Sequence, residues 1–275
     1  FFNSFNRIKL NCEMLDIQMD IDTFKRVVKR DIKNNPEKSY LIVLNTINSS
    51  INVWKYLYNT FKDDYKMFYL SSNIIPKERQ QRIKEIKEYK GRKIVIATQV
   101  VEAGVDIDLD VVYRDFGPFD SINQTAGRCN REGGENPGLV KVVYLVDTNN
   151  KDKPYNSYVY DALLIDRSKE VLSGIKEIEE RNIRELSEKY FEQLSRYGDD
   201  REGIELLDMI SNLTYRDAFE YTEDTDANKK VFSLIKQKFK AVEVFIELDE
   251  DAEKQWREHE EIRQVKNRFE RKKRF

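Results

Sequence analysis

The chain has 275 residues, enough for one large domain or for one domain with an appendage. Hydrophobic residues make up 40% of it, charged residues make up 36%, and the formal net charge is only −2. This balance lacks the basic excess of a protein that holds nucleic acid by bulk charge alone, so any contact with a strand must come from local groups in a groove.

The rare residue types narrow the setting and the chemistry. His259 is the only histidine, and Cys12 and Cys129 are far apart, which excludes a Cys/His zinc site of ordinary composition. Two lone cysteines favour a reducing, cytoplasmic compartment. The chain has no signal peptide and no long apolar run, so we expect no membrane contact. It begins with Phe1-Phe2 rather than Met, and we expect it to be part of a longer polypeptide.

Strand and helix signals alternate through the first half of the chain. A first edge strand is predicted at 5–10, and a helix follows that is capped by Asp22 and ended by 34–36. Apolar runs at 40–44, 67–70, 93–98, 110–113 and 139–146 predict strands buried on both sides. Further helices are predicted after Ser49 or Ser50, with a buried stripe of Ile51, Trp54, Tyr58 and Phe61, and from Pro76 to Gly91 with Ile83, Ile86 and Tyr89 inward. This alternation predicts an α/β fold with a parallel sheet and helices on both faces.

The pattern changes after Asp147. Residues 149–154 are typical of a linker, and three helical patterns follow, best seen in Ile183, Leu186, Tyr190 and Leu194. A polar loop is predicted at 224–230, a strand at 239–248 and a charged helix at 250–274. We therefore predict a lobe over 1–148, a helical linker or extension over 149–229, and the start of an accessory domain over 230–275.

The most informative stretch runs from Lys93 to Arg131. At helical spacing, Arg128 and Arg131 lie on one face of a helix, with Gln124 one turn earlier and Gly127 removing bulk beside the first arginine. The arginine fork stays charged and fits phosphate oxygens, so two forks aimed one way suit a polyphosphate. The alternative is a solvated helix face, which is the usual place for arginine.

Two motifs in this stretch resemble those of superfamily 2 helicases. Gln-x-x-Gly-Arg-x-x-Arg at 124–131 is similar to their motif VI, and Ala-Thr-Gln-x-x-x-x-Gly-x-Asp at 97–106 is similar to their motif V. The sequence Asp-Phe-Gly-Pro-Phe-Asp-Ser at 115–121 most resembles that of the helicase-nuclease of type I CRISPR defence systems. The resemblance covers about 40–146 well and the rest loosely. It implies that 1–148 is the second RecA-like lobe of a helicase.

The resemblance also implies roles on the nucleotide side. Arg131 would be the arginine finger, with Arg128 and Gln124 beside it, and such a finger stabilises charge on the transferring γ-phosphoryl group. Gly104 and Asp106 would line the nucleotide cleft together with Gly127. An ordinary turn is the alternative for Gly104 and Asp106.

A second set of residues would contact the nucleic-acid strand. The resemblance places Thr98 and Gln99 on its phosphates, and it aligns Asn45 and Thr46 with motif IV. A plain strand-end threonine and a turn-forming Asn-Thr pair are the alternatives. Ser71 departs from the family, where a histidine commonly stands, but Arg79 on the following helix still fits a contact with the strand backbone.

The parts that are absent limit the activity. The chain has no Gly-x-x-x-x-Gly-Lys-[Ser/Thr] loop and no Asp-Glu-x-x box, so ATP and its Mg²⁺ would be held mainly by a missing lobe. The family's His-Asp nuclease module is absent too. Asp106, Asp108 and Asp110 alternate, but an EF-hand pattern is lacking, so we interpret them as turn and cap residues. The isolated chain is expected to bind ATP weakly and not to hydrolyse it.

Together these features predict the C-terminal half of an ATP-dependent single-stranded DNA translocase or helicase of CRISPR antiviral defence. Its expected partners are single-stranded DNA, the missing N-terminal RecA-like lobe, the nuclease module and a CRISPR RNA-guided surveillance complex. Two alternatives stay open. One is another superfamily 2 motor acting on RNA, and the other is a non-enzymatic interaction module built on a helicase lobe.

Overall fold

The computed structural model describes residues 6–134, 136–197, 201–212, 244, 246 and 249–264. The chain divides into two compact units, Phe1–Gly198 and Asp199–Phe275. Among the described residues, no helix is long and apolar enough to cross a membrane.

The first unit is built on one sheet of eight strands: β1 (Ile8–Asp20), β2 (Tyr40–Val43), β3 (Lys66–Leu70), β4 (Lys93–Ala97), β5 (Val111–Asp115), β6 (Gly138–Asp147), β7 (Lys153–Pro154) and β8 (Glu177–Glu179). Seven of them lie in the order β3-β4-β2-β5-β6-β1-β8, and β7 pairs with β6. The pairs β1–β8 and β6–β7 are antiparallel and the others are parallel. The predicted α/β fold with a mainly parallel sheet is confirmed.

Helices cover both faces of this sheet. The first unit contains α1 (Ile21–Asn34), α2 (Ile47–Phe61), α3 (Pro76–Glu88), α4 (Phe119–Ala126), α5 (Ala162–Leu172) and α6 (Glu180–Tyr197). Tyr40 and Ile42 of β2 pack in a core with α1 and α2, whereas Leu41 and Val43 point to the opposite core. Because both faces are buried, the strand sequences are continuously apolar rather than alternating.

The first strand and the cap of α1 differ from the sequence prediction, whereas the end of α1 agrees with it. The first strand begins at Ile8 and is not an edge, because residues 9–11 pair with β8 on its outer side. Asp20, rather than Asp22, caps α1 by accepting a hydrogen bond from the Thr23 amide at 2.8 Å. The predicted stop of α1 at 34–36 is confirmed, with Asn35 as its C-cap.

The buried stripe of α2 was predicted wrongly except for Phe61. Thr46, not Ser49 or Ser50, caps this helix, and both serines are buried in its first turn together with Val53, Leu57 and Phe61 further on. Ile51 and Trp54 are only partly buried, and 42% of Tyr58 is exposed. The helix begins three to four residues earlier than its apolar residues suggested, because a polar first turn packs under the sheet edge.

Helix α3 starts at Pro76 as predicted but ends at Glu88, before Gly91. Ile86 is fully buried and Ile83 partly, whereas Tyr89 is the C-cap and is exposed. The buried Lys93 side chain donates hydrogen bonds to the carbonyls of Ile86 and Tyr89, both at 2.8 Å, and so stabilises this helix end.

The extension after β6 folds against the lobe. Helices α5 and α6 belong to the first compact unit, so the predicted boundary at 148 falls within that unit. Ile183 and Tyr190 of α6 are buried, and Leu186 and Leu194 pack at the rim of the core. The linker 149–154 contains β7 and part of a 3-10 turn, and β8 was not predicted.

The second unit contains α7 (Arg201–Ser211) and α8 (Glu250–Gln264), in which Glu253 pairs with Arg257. The predicted loop at 224–230 lies outside the described residues. So does the predicted strand at 239–248, apart from Val244 and Ile246, which are in neither helix nor strand.

Candidate nucleotide and nucleic-acid site

The motif V segment crosses the surface from the carboxyl end of β4 to the start of β5. It begins at Thr98, forms a 3-10 turn at Gln99–Val101, and then bends at Gly104. Gly104 has φ +71°, a conformation that costs glycine little and other residues more. The segment then buries Val105, Ile107 and Leu109 against the core, so its position is fixed along its length.

The motif VI arginines do not lie on a helix, and that part of the prediction was wrong. Helix α4 ends at Ala126, with Pro118 as its N-cap residue and Gly127 as its C-cap. Beyond it the chain pairs with motif V: the Leu109 amide donates to the Arg128 carbonyl at 3.1 Å, and the Asn130 amide donates to the Leu109 carbonyl at 2.9 Å. Asn130 has φ +44°, which turns the chain toward β6.

Motifs V and VI nevertheless meet through their side chains. Arg128 donates from Nε to the Val101 carbonyl at 3.0 Å and from Nη2 to the Glu102 carbonyl at 2.7 Å. Arg131 approaches Asp106 through Nε at 3.3 Å and keeps 42% of its side chain exposed. The first arginine is therefore anchored by the motif V backbone, and the second is held only by a surface ion pair.

Asp106 is shared between two cations. Lys87 of α3 forms a hydrogen bond and an ion pair with it, and this contact, followed by the charges of Arg131 and Arg128, holds the pKa of Asp106 below its usual range. The carboxylate is therefore charged and already paired. A ligand that draws Arg131 away from Asp106 therefore leaves this carboxylate paired with Lys87.

The other predicted residues around motif VI have simpler positions. Gln124 is exposed in the last turn of α4. A Cβ on Gly127 would meet the carbonyls of Gln124 at 3.4 Å and Asn123 at 3.8 Å, both ordinary contacts, so packing does not require glycine there. Asp108 accepts from the amides of Arg131 and Glu132, and Asp110 accepts from the Ser39 amide at 2.7 Å. The interpretation of Asp108 and Asp110 as turn and cap residues is confirmed.

A cavity of about 370 Å³ lies beside Arg131 and Asp106. Its lining mixes basic and acidic side chains, including Lys87, Lys90 and Glu132. In the part of the chain that the structure describes, no three His, Cys, Asp or Glu side chains converge as metal ligands.

The residues predicted to contact a strand lie together at the carboxyl ends of neighbouring strands. Asn45 and Thr46 follow β2, and Thr98 and Gln99 follow β4, which pairs with β2. Arg79 lies in the first turn of α3, beyond the end of β3, and makes one long hydrogen bond to the Ile74 carbonyl at 3.4 Å. The structure thus brings these five positions to one edge of the sheet, where open α/β folds place ligands.

The side chains of these residues differ in whether their polar groups already have hydrogen-bond partners within the lobe. Thr46 Oγ1 is the cap of α2, and Gln99 Nε2 donates to the Asn45 carbonyl at 2.8 Å. Asn45 is buried: its amide nitrogen donates to the Phe116 carbonyl at 2.8 Å, and its oxygen accepts from Arg114 Nη1 at 2.7 Å. We therefore assign the Asn45 side chain an internal role instead of a strand contact.

Sequence reasoning missed Arg114, which is fully buried at the end of β5. It donates five hydrogen bonds, to Asn45, Glu102, Ser121, Tyr160 and the Asp115 carbonyl. The available signal was an arginine directly after three apolar residues of a central strand, since arginine is almost never fully buried unless it is paired. The neighbouring Asp115 is buried too, and burial raises its pKa to about 7 although Arg114 opposes the shift.

Comparison with known proteins finds similar sequences for this part of the chain. Residues 36–134 match the family described as CRISPR-associated nuclease/helicase Cas3, C-terminal. The chain is 31% identical over 146 residues to the CRISPR-associated nuclease/helicase Cas3 of Methanothermobacter thermautotrophicus, a match that covers 51% of this chain and 17% of that protein. It is 41% identical over 88 residues to the protein of the same name from Haloferax volcanii, covering 30% and 9%.

Solved structures share the fold. The crystal structure of T. fusca Cas3 with AMPPNP superposes with a TM-score of 0.58 at 18% identity, over 78% of this chain and 27% of that one. A CRISPR RNA-guided surveillance complex in a pre-nicking state contains a chain that superposes with a TM-score of 0.53, also at 18% identity, over 78% of this chain and 28% of that one. At such identities the likeness shows the fold alone.

The mainly parallel sheet is consistent with a RecA-like fold, which the solved structures share. At residues 36–134 the chain is similar to the C-terminal region of the CRISPR-associated nuclease/helicase Cas3 family. It spans 17% or less of the length of the two curated relatives described above.

Proposed function

We propose that this chain is the C-terminal half of an ATP-dependent single-stranded DNA translocase or helicase acting in CRISPR antiviral defence. The other half supplies the Walker A and Walker B elements that hold ATP and most of the coordination of Mg²⁺. The observation that carries the proposal is the contact between motifs V and VI, in which Arg128 and Arg131 both reach the segment 101–106.

The two arginines have different tasks in this proposal. Arg128 is fixed by two backbone carbonyls, so it holds the two motifs in register and contributes a steady positive charge. Arg131 has a loose, exposed ion pair and can turn toward an anion at low cost. It is therefore the arginine finger, with Gln124 beside it and Gly104, Asp106 and Gly127 lining the cleft. Bound ATP supplies the phosphoryl group, and an arginine aimed at it stabilises the charge that develops in transfer.

Single-stranded DNA lies across the carboxyl ends of β2 and β4 in this proposal. The partly buried Gln99 and Thr46 lie at this edge beside its phosphates, and Arg79 adds one positive charge at the side of α3. Thr98 is buried and its amide donates to the Leu70 carbonyl at 3.1 Å, so it positions this edge instead of contacting the strand directly. Such local contacts fit a chain whose net charge is close to zero. Closure of the two lobes on nucleotide would move this edge along the strand.

The proposed partners are the N-terminal RecA-like lobe, a His-Asp nuclease module and a CRISPR RNA-guided surveillance complex. The family match and the structural neighbour described above support this set. Since the chain itself has no Walker A loop, we expect it to hydrolyse no ATP alone.

The decisive experiment measures ATP hydrolysis by the complete helicase with and without single-stranded DNA. Arg131→Ala should lower the DNA-stimulated rate by about 10³-fold or more, the effect of losing an arginine finger. Arg181→Ala is the matched control, because Arg181 is also an exposed arginine in one ion pair, with Glu179 at 2.7 Å. Stimulation by RNA but not DNA would favour an RNA motor, and normal hydrolysis by Arg131→Ala would refute the assignment.

A further inference from the structure

A buried cluster joins the parts of the lobe that the proposed function uses. We name it the Arg114 clamp and define it as Arg114, Glu102, Asn45, Ser121 and Tyr160. Arg114 Nη2 donates to Glu102 Oε1 at 2.9 Å, to Ser121 Oγ at 2.8 Å and to the Tyr160 hydroxyl at 2.9 Å, and Nη1 donates to Asn45 Oδ1 at 2.7 Å. Ser121 Oγ in turn donates to Glu102 Oε1 at 2.6 Å.

The members of the clamp come from separate parts of the chain. Asn45 follows β2, Glu102 belongs to motif V, Ser121 is in the first turn of α4, and Tyr160 precedes α5 in the extension. The Arg114 side chain, near the end of β5, reaches all four of them at once. The guanidinium fork of Arg114 has the number and spread of donors for this task, which lysine lacks.

Packing around the clamp leaves no room for displacement. A Cβ on Gly117 would lie 3.0 Å from Arg114 Nη2 and 3.1 Å from the Tyr160 ring. Arg114 has no exposed surface, and Glu102 exposes only 14% of its side chain. A buried guanidinium is costly unless its donors are satisfied. Both terminal nitrogens of Arg114 are bonded, whereas its Nε is buried without a hydrogen-bond partner, so displacing the terminal nitrogens would add to a cost that the site already carries.

The clamp is directly bonded to both proposed functional edges. The Glu102 carbonyl accepts the hydrogen bond from Arg128, on the nucleotide side. The Asn45 carbonyl accepts the hydrogen bond from Gln99, on the strand side. The side chains of these same two residues bind Arg114. One arginine therefore sets the position of a loop that serves both edges.

We propose that Arg114 is a positioning residue that holds the motif V loop in register with both the nucleotide-facing arginines and the strand-facing edge, so that DNA binding and ATP hydrolysis are coupled. This inference rests on the proposed function. It predicts that weakening the clamp harms the coupling more than it harms folding. Arg114 itself contacts neither ligand in this scheme and acts through Glu102 and Asn45.

The test uses the complete helicase and three variants. Glu102→Gln removes the charge partner of Arg114 with little change in shape, and Tyr160→Phe removes a single hydroxyl from the clamp. Tyr113→Phe is the matched control: Tyr113 adjoins Arg114 on β5, faces the opposite core and donates its hydroxyl to Asp31 at 2.6 Å. For each variant we would measure basal ATPase, maximal DNA-stimulated ATPase, the DNA concentration at half stimulation, and the melting curve by circular dichroism.

We expect Glu102→Gln to lower the ratio of stimulated to basal rate by about tenfold and to raise the half-stimulating DNA concentration, with a smaller change in the same direction for Tyr160→Phe. Tyr113→Phe should leave both quantities unchanged. A merely structural role would scale basal and stimulated rates together. Equal losses in Tyr160→Phe and Tyr113→Phe, or normal coupling in both clamp variants, would overturn the inference. If Glu102→Gln fails to fold, Tyr160→Phe decides alone. No stimulation of the unaltered protein would refute the proposed function itself, and with it this role of Arg114.

Discussion

Gly138 packs against Cys129 and Asn130 of the motif VI turn, and its replacement by alanine tests the placement of this turn on β6. The added Cβ would lie 2.6 Å from Cys129 Sγ and 2.8 Å from Asn130 Cβ. Neither neighbour can move easily, because Cys129 is buried and Asn130 is bonded through its side chain to the carbonyls of Arg7 and Asn136. Gly138 is also fixed, since its amide donates to the Arg7 carbonyl at 2.8 Å.

The expected cost of Gly138→Ala is near the top of the overpacking range, about 3 kcal/mol. It outweighs the gain of about 0.4–1 kcal/mol that alanine gives by restricting the unfolded chain. For a unit of this size the net loss of about 2–2.6 kcal/mol should lower the melting temperature by about 4–10 °C. Gly127→Ala is the control, since its Cβ would make only ordinary contacts and its φ is −64°.

Thermal unfolding followed by circular dichroism measures both variants. The double variant Gly138→Ala/Cys129→Ala should recover part of the loss, because it removes the Sγ contact and keeps the Asn130 contact. An unchanged melting temperature for Gly138→Ala, or an equal fall for Gly127→Ala, would refute the placement of this turn on β6.

Three further predictions follow from single residues. Burial raises the pKa of Asp115 to about 7 from an ordinary 3.8, so the folded state keeps a proton that the unfolded state loses, and the free energy of unfolding should fall as pH rises from about 4 to 7. Urea unfolding at pH 5 and pH 8 should show a smaller fall for Asp115→Asn than for the unaltered protein. An equal fall would contradict Asp115 as the cause. Arg79→Ala should weaken binding of labelled oligo-dT and reduce its salt slope by about 1, whereas Lys84→Ala, on the same helix and 74% exposed, should change neither by as much. Asn130→Ala should unfold more easily than Asn130→Gly by about 1 kcal/mol, because both lose the amide but only alanine is strained at φ +44°, and equal urea midpoints would refute this.

The sheet was predictable because its signals are local. The apolar runs at 40–44, 67–70 and 93–98 predicted β2, β3 and β4 to within one residue at either end. The faces of helices were less predictable, as α2 shows. Its first turn buries two serines, so the buried stripe is set by the polar cap at Thr46 and not by the most apolar side chains. Tertiary contact decided the face there, and a single sequence does not contain that information.

The sequence predicted which two segments meet at the candidate site, motifs V and VI, but not the geometry of their meeting. A motif at helical spacing suggested that Arg128 and Arg131 share a helix face, yet the helix ends before them. Beyond the helix end Asn130 adopts a left-handed conformation, which asparagine tolerates in turns. The role of Arg114 was not predictable because four of its five acceptors, on Asn45, Glu102, Ser121 and Tyr160, are brought to it by the fold.

The contrast between Arg114, Arg128 and Arg131 shows how this lobe fixes two arginine side chains and leaves the third less restrained. Arg114 is fully buried with both terminal nitrogens bonded, so moving it would break several charge-assisted hydrogen bonds at once. Arg128 is partly buried and bound to carbonyls, which accept hydrogen bonds but offer no opposing charge. Arg131 is exposed and has one carboxylate partner that also binds Lys87. The freedom of the arginine side chain to move therefore increases from Arg114 in the core to Arg131 at the surface. Arg131, to which we assign the finger role, can move while Arg114 and Arg128 stay in place.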